Sequence, residues 1–151
     1  MDWPDVVGHA IRLGPDCFLA TVTPQGKPHL AVISPGFIDQ RVIVATWESS
    51  VKADNLRAGS AVMLHWVVRE ETDNDMLLIQ GIPRLVDDAH RSRQLWEADC
   101  LPYDPADWYQ GPDDPELLWV EIEPTYASLH RNLGEGDSSV WHCKTPDSHA
   151  P

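Results

Sequence analysis

Cys17-Phe18-Leu19-Ala20-Thr21-Val22-Thr23 is a short, apolar, β-prone run that breaks at the turn Pro24-Gln25-Gly26-Lys27. Pro28 to Ser34 reads as a second strand, Pro35-Gly36 stops it, and Arg41-Val42-Ile43-Val44-Ala45-Thr46 makes a third. Strands joined by connections this short and turn-rich form an antiparallel meander, not βαβ units.

Upstream, Val6, Val7, Ala10 and Ile11 fall at helical spacing between Asp5 and Arg12, with Gly14-Pro15 as the stop. Downstream, the period changes at Ser49 to Ala58, a short helix with Ser49 or Ser50 as its cap and Gly59 as its end. Ala61 to Val68 returns to strand, and Glu70-Glu71-Thr72-Asp73-Asn74-Asp75 reads as a solvated connection. Met76 to Val86 is a long strand in which Gly81 and Pro83 mark a bulge or bend. Asp88 caps a helix to about Ala98, with Leu95 and Trp96 on its buried side. A segment rich in Pro, Asp, Trp and Tyr follows, with a helical turn around Pro105 to Tyr109. Leu117 to Glu123 and Tyr126 to Asn132 read as two further strands, and the chain beyond Gly134 as loose until Val140-Trp141. About seven strands with a helix between the third and fourth predict a mainly β fold with short helices, a closed or split antiparallel barrel. The predicted domain spans residues 1–133, with 134–151 a partly flexible C-terminal tail.

With 151 residues, the chain has the length of one domain with one sizeable core. Eleven basic residues against twenty-four acidic give a net charge of −13, which disfavours nucleic acid and anionic membrane as partners. A small phosphorylated ligand needs only one or two well-placed cations. Cys17, Cys100 and Cys143 are odd in number and far apart, with no CxxC pair, and read as unpaired thiols of a reducing compartment. Met1 to Asp5 is acidic where a secretory signal would be basic, and no apolar run approaches membrane-spanning length. A cytoplasmic location is the expectation. No HExxH, GxSxG, P-loop or GxGxxG occurs, and the His and Cys positions lack metal-ligand spacing.

The residues that carry chemistry run from Thr46 to Arg57: Thr46-Trp47-Glu48-Ser49-Ser50-Val51-Lys52-Ala53-Asp54-Asn55-Leu56-Arg57. Here a strand ends and a helix begins. Hydroxyls and free N–H groups at such a junction suit a phosphate monoester, with Lys52 as its cation and Arg57 as a second. An ordinary capped surface helix gives the same spacing. Two further stretches add to this one: Phe18-Leu19-Ala20-Thr21-Val22 with Gly26-Lys27-Pro28-His29, and Ile79-Gln80-Gly81-Ile82-Pro83-Arg84-Leu85-Val86-Asp87-Asp88. With the loop Gly111-Pro112-Asp113-Asp114-Pro115-Glu116-Leu117, they cover most of Cys17 to Pro124. In their order and spacing, the chain resembles the flavin-binding split-barrel superfamily typified by pyridoxamine 5′-phosphate oxidase, especially its general-stress-protein and actinobacterial members.

That resemblance implies an FMN-binding split antiparallel barrel, a homodimer with two equivalent sites at the subunit interface, and oxidoreductase chemistry on a small molecule. It places a cofactor phosphate against Thr46, Ser50 and Lys52, and the flavin ring along Val32, Ile33 and Ser34. FAD and the deazaflavin F420 are the alternative cofactors; three lysines and an acidic balance build a poor groove for F420's polyglutamate tail. The alternative functions are a non-catalytic flavin-sequestering stress protein and an F420-dependent reductase. The chain departs from the family pattern at Pro35-Gly36, and it lacks the basic C-terminal segment with which true pyridoxamine-phosphate oxidases hold their substrate, so vitamin B6 oxidation is disfavoured. Of seven tryptophans, most read as core or interface packing. Trp47, beside the phosphate motif, is the one assigned to the site. No catalytic residue emerges beyond His65 as a candidate, and a satisfied interface histidine is the preferred reading there. His130-Arg131 and Trp141-His142-Cys143 are candidates to close over a partner's site.

Overall fold

The short helix at the N-terminus forms because its caps and its apolar stripe agree. In the computed structural model, which describes residues 1–143, α1 spans Trp3–Leu13. Asp2 and Asp5 close a reciprocal capping box at its start. Trp3, Val6, Ala10 and Leu13 face the core, while Ile11 is 69% exposed and Val7 only half-buried. The helix thus starts two residues earlier than its apolar spacing predicts, because the Asp2 cap and the buried Trp3 extend it.

Eight strands follow: β1 (Cys17–Val22), β2 (Pro28–Ile33), β3 (Gly36–Ile38), β4 (Arg41–Trp47), β5 (Val62–Trp66), β6 (Met76–Val86), β7 (Leu117–His130) and β8 (Ser138–His142). Two more helices join them, α2 (Val51–Arg57) between β4 and β5 and α3 (Ala89–Glu97) after β6. Every pairing is antiparallel, and the order across the sheet is β2-β1-β5-β6-β7-β4-β3, with β8 on β7. β2 and β3 end this path without pairing to each other, so the sheet is split rather than closed.

Three sequence expectations are corrected. Pro35-Gly36 is not only a breaker, because Gly36 opens β3 and pairs with Ile43. The strands expected at Leu117–Glu123 and Tyr126–Asn132 are one continuous strand. Gln80 pairs with Tyr126 and Gly81 with Pro124, so Thr125 is the extra residue of a bulge, where the missing N–H of Pro124 is tolerated. The acidic connection 70–75 is not wholly solvated: Asp75 is 1% exposed and accepts hydrogen bonds from Arg12, from Arg131 at 3.1 Å and from the Asn132 N–H at 3.2 Å. In the tail, β8 begins at Ser138; residues 144–151 of the tail expectation lie outside the described residues.

α1 packs on the inner face of the sheet against Cys17, Leu19, Val44, Leu64, Trp66 and Ile79. A second, smaller core of Ile43, Leu95, Leu101 and Trp119 lies on the other face of β4 and β7, under α3. β4 is therefore covered on both faces, which is why it reads as an unbroken apolar run rather than an alternating one.

Candidate functional site

The segment that leaves β4 turns at Glu48-Ser49 and enters α2, whose first residue is Val51. Ser50 is the N-cap, and its Oγ accepts from the Ala53 N–H at 3.3 Å. Lys52 follows on the first turn, half-buried, with no carboxylate within ion-pair distance among the described residues. Desolvation holds its ammonium below the usual lysine value. Thr46, one strand-end away, is 3% exposed, and its Oγ1 is buried without a hydrogen-bond partner. A buried hydroxyl normally finds one.

These two groups line one cleft of about 230 Å³. The end of β2 supplies the opposite wall through Val32, Ile33 and Ser34. Val32 is 61% exposed, Ile33 buried, and Ser34 Oγ donates to Asp16 Oδ1 at 2.6 Å. Trp47 stands at the mouth with its ring 4.7 Å from that of Tyr109. Tyr103, Trp108 and Tyr109, all from the Pro- and Asp-rich segment, complete an aromatic side. Burial pushes the Tyr109 phenol well above its ordinary range, so it stays protonated as a donor. The arrangement offers one unpaired ammonium and one unspent hydroxyl for an anion, beside an aromatic wall for a flat group. It holds no nucleophile with an adjacent base.

Six of the sequence-predicted positions thus come together: Val32, Ile33, Ser34, Thr46, Trp47 and Lys52. Ser50 stands beside them as the cap of α2 without lining the cleft. Arg57 lies apart. Its guanidinium is held by both Glu48 oxygens at 2.6 and 2.9 Å and reaches Asp87 at 3.5 Å, so its charge is spent within the chain. His65 is on β5, between Phe18 and Leu78 in register, half-buried and away from the cleft of its own chain. Burial lowers its affinity for a proton. Trp66 and Trp119 are buried in the two cores. Sequence reading gave no site role to Tyr103, Trp108 and Tyr109; the aromatic content of an otherwise polar segment is the signal that marks them.

The cleft's donors suit a phosphate-bearing aromatic cofactor, and comparison with known proteins agrees on the fold. The chain is similar to a protein related to general stress protein 26 of the pyridoxinephosphate oxidase family from Clostridium acetobutylicum, with a TM-score of 0.73, 15% identity, and 95% of this chain and 97% of that chain covered. It is equally similar to a pyridoxamine 5′-phosphate oxidase-related, FMN-binding protein from Nostoc punctiforme, with TM-score 0.72, 17% identity, and coverage of 96% and 98%. A heme-binding protein from Mycobacterium smegmatis shares the fold at TM-score 0.72 and 11% identity, over 94% of this chain and 58% of that one. At these identities the likenesses speak for the fold alone. No curated protein matches the chain significantly in sequence. The family model described as pyridoxamine 5′-phosphate oxidase, however, matches residues 11–131, from the last turn of α1 to the end of β7. The chain belongs to the pyridoxamine 5′-phosphate oxidase family.

Proposed function

We propose that the protein binds FMN in this cleft, as a homodimer, and serves as a flavin-dependent oxidoreductase for a small molecule. The observation that carries the reading is the pairing of an unpartnered buried hydroxyl, Thr46 Oγ1, with a half-buried and unpaired ammonium, Lys52, in one cleft. A dianionic phosphate monoester satisfies both: it accepts from the hydroxyl and neutralises the cation. Lys52, the one cation that lines this cleft among the described residues, suits one phosphate better than the many carboxylates of F420. Val32 to Ser34 and the Trp47–Tyr109 pair would hold the ring system by apolar and aromatic contact. When bound, the flavin supplies the redox chemistry, and the chain's task is to hold, orient and desolvate it.

The dimer enters through size and surface. A cleft of about 230 Å³ is smaller than the roughly 300–1,000 Å³ usual for sites that enclose a ligand of this class, so one chain covers only part of a flavin. The outer face of β1, β2 and β5 carries Leu30 and Val32, each 61% exposed, beside half-buried Phe18 and Met63. An apolar face of this kind, continuous with the cleft through Val32, favours a second copy as its cover.

The deciding measurement is equilibrium binding of FMN, FAD and F420 by fluorescence. FMN is expected to bind in preference to both. Lys52→Ala is expected to weaken FMN by at least about tenfold, the scale of one lost charge-assisted hydrogen bond. Unchanged FMN binding in that variant would overturn the assignment of the phosphate to this cleft.

A further inference from the structure

A second cleft, of about 290 Å³, lies directly beside the first. Two separate parts of the chain form the wall between them. Ser34 lines the cofactor cleft and Pro35 the second one; Tyr103 lines the cofactor cleft and Pro102 the second one. The two spaces are therefore one residue apart on both sides. Gly36 makes this wall possible, because a Cβ there would lie 2.1 Å from the Cys100 carbonyl oxygen. Only glycine lets residues 100–102 settle against β3.

The second cleft differs sharply in chemistry. No side chain that lines it carries a charge. Its one indole N–H, on Trp66, is spent on the Gly14 carbonyl at 3.1 Å, which leaves the Cys100 thiol as its polar side chain. Phe37, half-buried, lines it and stacks on the core residue Trp66, with centroids 6.3 Å apart and planes 21° from parallel. Val7 and Ile11 of α1 form the opposite side. Val7 is half-buried and packs against the core, whereas Ile11 is 69% exposed. The apolar stripe of α1 thus extends past the core at Ile11, on the side of this cleft.

We infer that this cleft binds an uncharged, flat, largely apolar molecule of one or two rings, at a site walled off from the first cleft. An apolar cavity of about 150 Å³ accommodates benzene, so one of about 290 Å³ has room for a second ring. A charged ligand would lose its hydration against a lining that carries no charged side chain. The half-buried Phe37 ring offers a flat ligand an aromatic contact. Occupancy by an apolar ring does not depend on the FMN reading above.

Calorimetric titration with 2-naphthol and with 2-naphthoate, which share a ring system and differ in charge, tests the inference. The protein is expected to bind 2-naphthol saturably, with a negative heat-capacity change, and 2-naphthoate at least about tenfold more weakly. Ile11→Asp alters an exposed side chain that the fold does not need, and should weaken 2-naphthol by about tenfold. Val7→Phe should block the cleft by filling it. Both variants should keep FMN affinity within about twofold, whereas Lys52→Ala should lose FMN and keep 2-naphthol. No saturable 2-naphthol binding, equal affinity for 2-naphthoate, or indifference to both Ile11→Asp and Val7→Phe would overturn the inference. So would binding only after the protein is dissociated into monomers, which would make the cleft a subunit contact. Failure of the unaltered protein to bind FMN, with 2-naphthol binding intact, would instead count against the cofactor reading.

Discussion

Glu121 shows how one residue can carry charge into a core and still stabilise it. It is 7% exposed on β7, and it accepts from Arg91 Nε at 3.2 Å and from Arg41 at 3.4 Å. The Arg91 hydrogen bonds hold its carboxyl below the usual glutamate range, with the Arg91 charge and Arg41 adding to the effect. A carboxylate whose folded pKa is depressed binds fewer protons folded than unfolded at mildly acid pH. Its stabilisation is therefore complete above the unfolded value and is lost as pH falls through the folded one. Glu121→Gln is expected to cost about 1–3 kcal/mol at neutral pH, the scale of hydrogen bonds to a charged group. It should also flatten the decline in urea midpoint below about pH 4.5, the unfolded range of glutamate. Urea titrations from neutral pH down to the acid limb check both. Sequence reading recorded Glu121 only as part of a strand, because a partner eighty residues away, Arg41, is invisible to local pattern. Asp75 was hidden for the same reason: its partners Arg12 and Arg131 come from α1 and the end of β7.

At the scale of elements, the β6–β7 pair organises the sheet, since the two strands run side by side from Met76↔His130 to Val86↔Trp119. A proline in mid-strand ordinarily argues against a continuous strand, and so local reading divides β7 at Pro124. The bulge opposite Gly81 resolves the conflict, and Gly81 itself was legible as its marker. A Cβ at Gly81 would come within 2.5 Å of Ile122 Cγ2 and 2.6 Å of the Glu123 carbonyl oxygen. Gly81→Ala is therefore expected to destabilise by about 1–3 kcal/mol, as overpacking does. For a chain of this size that lowers Tm by roughly 3–9 °C, which thermal unfolding reads directly. An unchanged Tm would mean that the bulge tolerates a side chain and that β7 needs no glycine opposite its proline.

For the whole molecule, the split between β2 and β3 has two consequences. It leaves β2 at the edge of the sheet, where unpaired backbone invites a partner, and it puts the cleft of Thr46 and Lys52 at that edge. If the proposed dimer forms through the exposed apolar row on β2, assembly and FMN binding are linked. Leu30 is 61% exposed and outside the cleft lining, so Leu30→Glu should leave the protomer folded. It is expected to convert a dimer to monomer in sedimentation equilibrium and to weaken FMN by about tenfold or more through loss of the second half of the site. A dimer that persists in this variant would move the interface to another face. No described helix is long and apolar enough to cross a membrane.

The amino-acid sequence alone determined the alternation of strand and helix, a cap at Ser49 or Ser50, the cap at Asp88, a bulge or bend at Gly81 and the Thr46–Lys52 junction of strand and helix. Each is a local signal, set by period, turn chemistry or a short motif, and local chemistry does not change when the chain folds. The tertiary structure alone decided which charges remain available. Lys52 and Arg57 are five residues apart on one helix and look alike in sequence, yet Arg57 is neutralised by Glu48 and Asp87 while Lys52 faces the cleft unpaired. It also decided the aromatic side of the cleft and the apolar space next to it, since both depend on where residues 100–109 settle. That path is set by contacts between segments distant in the chain, above all the seat of Cys100 on Gly36, and no local pattern records such a contact.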